Sequence, residues 1–123
     1  MKDYKELVVW QKSMQLVKEV YALTGLLPKE EQFGLIMQLR RAAVSIPSNI
    51  AEGFGRHAYK DYIRFLNIAR GSEYEVETQV EICIMQNYIT RDYAASVFAL
   101  CTETGKLLNA LIAKLQSALN TTN

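Results

Sequence analysis

Between Arg40 and Arg56 the chain reads RRAAVSIPSNIAEGFGR, and a proline at position 47 interrupts an otherwise helical pattern. Ile36, Leu39, Ala43, Ile46 and Ile50 fall at the spacing of a helix laid against a core. Pro47 has no N–H to give the carbonyl of Ala43, and its ring crowds the preceding turn, so a helix here must bend or break. The apolar stripe keeps its phase across the proline, which predicts a helix kinked at Pro47 rather than ended there, with Asn49 or Glu52 hydrogen-bonded near the bend. On a neighbouring stripe Arg41, Ser45, Ser48, Glu52 and Arg56 form a nearly unbroken polar row. Small residues beside the kink (Ala42, Ala43, Ser45, Ser48) let another backbone approach closely.

The rest of the chain repeats the helical period. Leu7, Trp10, Met14, Val17 and Tyr21 form a heptad seam, predicting a first helix over about 4–24 that Gly25 stops. Pro28 followed by Lys29-Glu30-Glu31 is a helix start, so the second helix is expected over 29–54. Gly53 and Gly55 end it, and His57-Ala58 opens a third over 58–87 without a good cap. Tyr62, Leu66, Ala69, Val76, Val80 and Cys83 mark its core face, while Ile63, Phe65, Ile68, Ile82, Ile84 and Met85 lie off it. So much apolar circumference asks for a second partner surface, the argument for an oligomer. Gly71, beside Ala69, most simply allows close helix packing. Thr90 can cap a fourth helix over 91–119, whose seam is Ala94, Val97, Cys101, Thr104, Leu108, Leu111, Leu115 and Ala118; the tail NTTN is polar and expected to be loose. Four helices with short links read as an all-α, antiparallel up-down-up-down four-helix bundle in one domain spanning 1–123.

Three of these segments, SIPSNIAEGFGR, RFLNIARGSEYEVETQ and LIMQLRRAAVSIP, together with the opening LVVWQKSMQLVKEVY, also carry a likeness. Over residues 4 to 115 the chain resembles the four-helix bundle family first noticed as reading frames in intervening sequences of 23S ribosomal RNA. The resemblance implies an antiparallel bundle, in several members a homopentameric ring. A related branch, the accessory variability determinant of diversity-generating retroelements, is a pentamer that binds nucleic acid and a reverse transcriptase. Ser72, Glu75 and Thr78, from GSEYEVET, match the family pattern and are expected to meet Asn49 and Glu52 across the bundle.

Enzyme chemistry finds little purchase. The sole histidine, His57, falls in a link, and no P-loop, dinucleotide-binding turn or serine elbow is present. Glu73, Glu77 and Glu81 line one face with Arg70, but the Glu-x-x-His pattern of di-iron bundles is missing, so they read as a solvated or interface-paired row with neither metal nor cofactor. Cys83 and Cys101 read as buried reduced thiols. No apolar run approaches the ~20 residues of a membrane span, and MKDYKEL lacks the apolar segment of a signal peptide, so a cytoplasmic location is expected.

Net charge is +1, yet its distribution is uneven. Arg40, Arg41, Arg56, Lys60, Arg64 and Arg70 stand against only Glu52 and Asp61, whereas residues 71–90 hold four Glu and no base. Lys60 and Arg64 are four apart with no acid at the same spacing, which suggests a counter-charge from outside. Two readings follow. Repeated around a ring, the six basic residues could hold RNA or DNA phosphates, with Tyr59 and Tyr62 able to stack on unpaired bases. Alternatively the basic and acidic rows pair with each other, and the chain is a structural adaptor that binds a protein. In either, Ser48, Asn49, Glu52, Ser72, Glu75, Glu77 and Thr78 act in structure or at a subunit interface.

Overall fold

The computed structural model describes residues 3–121. A 3-10 turn at Tyr4–Glu6 leads into α1 (Val8–Thr24), and a second at Lys29–Glu31 precedes α2 (Leu35–Phe54). Helices α3 (Tyr59–Met85) and α4 (Arg91–Thr121) complete the order, and no strand occurs among the described residues. Each helix packs on its neighbours in sequence, and α4 closes on α1, leaving α1 and α3 diagonal to one another. Paired side chains show the directions. Ser45 meets Ser72 and Gln38 meets Gln79, so α2 and α3 run antiparallel. Lys12 with Glu103 and Glu19 with Ser96 do the same for α1 and α4.

The core is built from Leu16, Val20 and Leu23 of α1, Leu39, Ala43, Ile46 and Ile50 of α2, Leu66, Val76 and Val80 of α3, and Val97, Cys101 and Leu108 of α4, all buried. Burying each large aliphatic side chain contributes roughly 1.5–3 kcal/mol. The stripes expected on α2, α3 and α4 supply most of this list. On α1 the phase differs: Val9, Ser13, Leu16, Val20 and Leu23 face the core, while of the predicted seam Trp10 and Val17 are half-buried at the core's edge and Met14 and Tyr21 are exposed. The helix has two apolar faces, and only one fits inside four helices.

Element ends also depart from expectation. Pro28 starts one 3-10 turn, not α2, because Gly34 leaves the helical region at φ −108° and ψ −112°. Glu31 then caps the true start, its Oε1 accepting from the Leu35 N–H at 3.1 Å, while the Tyr88 hydroxyl donates to its Oε2 at 2.9 Å. Helix α3 does begin without a side-chain cap, and Thr90 caps α4 through the Tyr93 N–H at 3.1 Å. Asn120 and Thr121 belong to α4, and residues 122 and 123 of the tail lie outside the described residues.

Helix α2 runs unbroken through buried Pro47. The Asn49 amide donates to the Ser45 carbonyl at 2.8 Å and to its hydroxyl at 2.9 Å, just before the proline. Glu52 takes no part there and pairs with Arg56. Replacing Pro47 by alanine restores the missing donor to the Ala43 carbonyl. Far-ultraviolet circular dichroism should show helicity kept or raised; any effect should fall instead on the outer surface that Pro47 lines.

Gly71 packs against nothing: a methyl group there would meet no atom within 4 Å. The close approaches belong to Gly53, where a Cβ would lie 2.9 Å from Tyr62 and Phe65, and to Gly105. Position 71 falls about a third of a turn from the core face marked by Ala69 and Ser72.

Candidate functional site

The six basic residues do not share one surface. Arg40 is a latch between helices: its Nε donates to the buried Thr24 hydroxyl at 2.9 Å, and its guanidinium lies over the Tyr21 ring at 4.4 Å. Arg41, next to it, is exposed and makes no ion pair among the described residues. Roughly four helical turns further on, Arg56 and Arg64 gather at the α2–α3 turn, both stacked on Phe65 at 4.7 and 4.4 Å. Asp61 supplies the counter-charge expected from outside: Arg64 pairs with it at 2.9 Å and Arg56 at 3.8 Å, Arg56 also holding Glu52 at 2.9 Å. Sequence spacing missed this because Asp61 precedes Arg64 by three residues rather than four. Lys60 remains exposed and unpaired among the described residues, and His57 is exposed beside it. Tyr62 is buried edge-on to Phe54, whereas Tyr59 is exposed.

Arg70 belongs to a different place. It reaches between α3 and α4 to pair with Glu73, and its guanidinium covers Tyr74 at 4.3 Å. Glu73 is 0% exposed, which corrects the expectation of a solvated or interface row. The pair fits because Gly105 of α4 leaves a notch; a Cβ there would overlap the guanidinium and stand 2.8 Å from Glu73 Oε1. The Glu73 carboxyl is pushed up to about 8, chiefly by burial and then by its hydrogen bond to Glu77 and that residue's charge, with Arg70 offsetting only part. Glu73 Oε2 and the Thr104 hydroxyl are buried without hydrogen-bond partners. A proton on Oε2, given to Glu77, satisfies the first of these. Burial also raises both thiols, Cys83 to about 11 and Cys101 further, with Glu73 and Glu77 near the latter. Glu81 leaves the row altogether and pairs with Arg91 at 2.7 Å, a hydrogen bond that lowers its pKa.

The polar residues of α2 and α3 divide between two grooves. Ser45 and Ser72 share a hydrogen bond of 2.9 Å, and with Gln38, Arg41, Glu75 and Gln79 they line a cleft of about 400 Å³ between α2 and α3. Gln38 and Gln79 were not singled out from sequence; their convergence follows from the antiparallel register. Glu75 is exposed in this cleft, Glu77 lies on the α4 side, and the Thr78 hydroxyl returns to the Tyr74 carbonyl at 2.9 Å. Ser48 instead faces α1. There it joins Tyr4, Trp10, Met14, Val17, Val44 and Pro47 around a groove of about 320 Å³. A second groove of about 550 Å³, with Tyr21, Phe33, Ile36 and Met37, continues from Val44. The two make an apolar strip along α1 and α2, whose extreme member, Phe33, is 80% exposed. This strip, rather than the off-face aliphatic residues of α3, carries the continuous apolar surface: on α3 Ile63 is buried, and Tyr59, Ile68, Tyr74 and Met85 are the exposed large side chains.

Comparison with known proteins adds the lineage. The family model described as 23S rRNA-intervening sequence protein matches residues 5–110. The chain belongs to that family. A solved structure from Bacteroides thetaiotaomicron, described as a protein of unknown function from the S23 ribosomal protein family, is 33% identical, covering 85% of this chain and 98% of its own, with a TM-score of 0.79. No curated protein matches the chain. No described helix is long and apolar enough to cross a membrane, and no group of three metal-ligating side chains is found among the described residues.

Proposed function

We propose that this family member is a non-enzymatic, self-associating bundle: copies meet along the α1–α2 strip and together present their α2–α3 turns to the phosphates of a nucleic acid. The strip carries the reading. Met14, Tyr21, Phe33, Met37 and Val44 stand in water along one face, and contiguous apolar surface of this kind marks a contact site. The expected assembly is a ring of five. In such a ring Arg56, Lys60 and Arg64 recur around the axis, so a modest contact becomes multivalent. Phe65 holds two of the guanidiniums flat, which reduces the freedom they lose on binding. The family's name ties its members to intervening sequences of 23S rRNA, which makes ribosomal RNA the first ligand to test.

One observation favours a second reading, an adaptor for a protein partner such as a reverse transcriptase. Arg56 and Arg64 have counter-charges within the chain and Arg70 has a buried carboxyl partner, leaving Lys60 as the unpaired cation of the turn among the described residues. Fluorescence anisotropy with a labelled ribosomal RNA hairpin separates the two. Under the nucleic-acid reading, affinity falls steeply with salt, and Lys60→Glu with Arg64→Glu lowers it about tenfold or more while the assembly stays intact. RNA binding indifferent to both changes, or absent, supports the adaptor. Loss of the assembly in the double variant instead places these side chains between copies.

A further inference from the structure

The α2–α3 cleft holds charges that no described residue pairs with. Arg41 and Glu75 both line it, both are exposed, and neither forms an ion pair with a described residue. Gln79 Nε2 donates to Gln38 Oε1 over a long 3.5 Å, leaving Gln79 Oε1 buried without a partner. Turning both amides over exchanges their roles but still leaves one amide donor and one amide acceptor unspent. Ser45 and the buried Ser72 close the inner wall with their 2.9 Å hydrogen bond, which Asn49 fixes from the following turn of α2. The cleft therefore offers a cation, an anion and, at the Gln38–Gln79 pair, an amide acceptor without a partner, in about 400 Å³.

Each of these selects a ligand group. A guanidinium takes a carboxylate, a carboxylate takes an ammonium, and an amide edge takes a second amide. No aromatic ring lines the cleft to stack a nucleobase, Glu75 repels a phosphate, and Ala42 is the sole apolar residue of the lining. The volume lies at the small-molecule end of known sites. We propose that this cleft binds a free zwitterionic α-amino acid with an amide side chain: the carboxylate on Arg41, the ammonium on Glu75 and the side-chain amide on the Gln38–Gln79 pair. The site adjoins the assembly surface, with Arg41 lining both.

Equilibrium dialysis of the full chain against labelled L-glutamine tests this. Saturable binding of one molecule per chain is expected, displaced by unlabelled L-glutamine or L-asparagine. Glutaramic acid, which lacks the ammonium, and L-glutaminamide, which lacks the carboxylate, should each compete about tenfold less well or worse. Arg41→Gln and Glu75→Gln, both at exposed positions, should weaken binding by a similar factor with unchanged circular dichroism. No saturable binding at millimolar L-glutamine overturns the proposal, as does equal competition by the two truncated analogues or unchanged binding by both variants. Displacement by guanosine monophosphate in preference to the amino acids overturns it in favour of a nucleotide site.

Discussion

Replacing Gly105 by alanine is expected to destabilise the bundle by about 3 kcal/mol, the scale of overpacking a core combined with disturbing a buried hydrogen-bonded pair. The new methyl would stand 2.8 Å from Glu73 Oε1 and 3.0 Å from the Arg70 guanidinium carbon, so the ends of both side chains must shift. Glu73, wholly buried, has no water to turn to. The gain in helix propensity, about 1 kcal/mol, offsets only part of the loss. Gly71→Ala provides the contrast: with nothing within 4 Å of the added carbon, only the propensity term remains, and the protein should gain about 0.5–1 kcal/mol. Urea unfolding of both variants at one protomer concentration reads the difference, since association would otherwise shift each midpoint. Equal effects of the two substitutions would mean that the notch does not constrain the pair.

Stability should fall as pH rises from about 4.5 to about 8, and Glu73 is the group responsible. Its carboxyl ordinarily titrates near 4.5 and is held up to about 8 in the fold. The folded chain therefore keeps a proton that the unfolded chain has released throughout that window. Its favourable contribution is complete below the unfolded pKa and disappears as pH passes the folded one, with a limiting slope of roughly 1.4 kcal/mol per pH unit. Arg70 and Glu77 flank the carboxyl on α3, and the Cys101 thiol and Thr104 hydroxyl face this region from α4. Glu73→Gln, which keeps the shape and carries its own donor, should flatten the slope and leave the variant the more stable of the two near pH 8. An unchanged slope in Glu73→Gln would assign the titration elsewhere.

Much of the fold was legible because apolar spacing and breakers agree on α2, α3 and α4. Ile46 and Ile50 keep phase through Pro47, Asn87 ends α3 with a left-handed φ of 62°, and Thr90 caps α4 as its position suggests. The α1 seam shows where spacing stops informing. Trp10, Met14, Val17 and Tyr21 have the period of a core face, as do Val9, Leu16, Val20 and Leu23; the choice between them depends on the room left by the other three helices. Gly71 and Gly105 fail in the same way, since a glycine's use depends on what stands opposite. The basic cluster read as one surface because sequence proximity conceals that Arg40, Arg56 and Arg70 turn to different neighbours. The Gln38–Gln79 edge required the antiparallel register of two helices, which no single-helix pattern contains.

Sedimentation velocity at micromolar concentration tests the central claim, that copies of this chain meet along the α1–α2 strip. The account predicts a species several times the 14.0 kDa protomer, near fivefold. It also predicts that Val44→Glu, at the exposed junction of the two grooves, yields a folded protomer of that mass. A native chain that sediments as a monomer, or an assembly untouched by Val44→Glu, would contradict it.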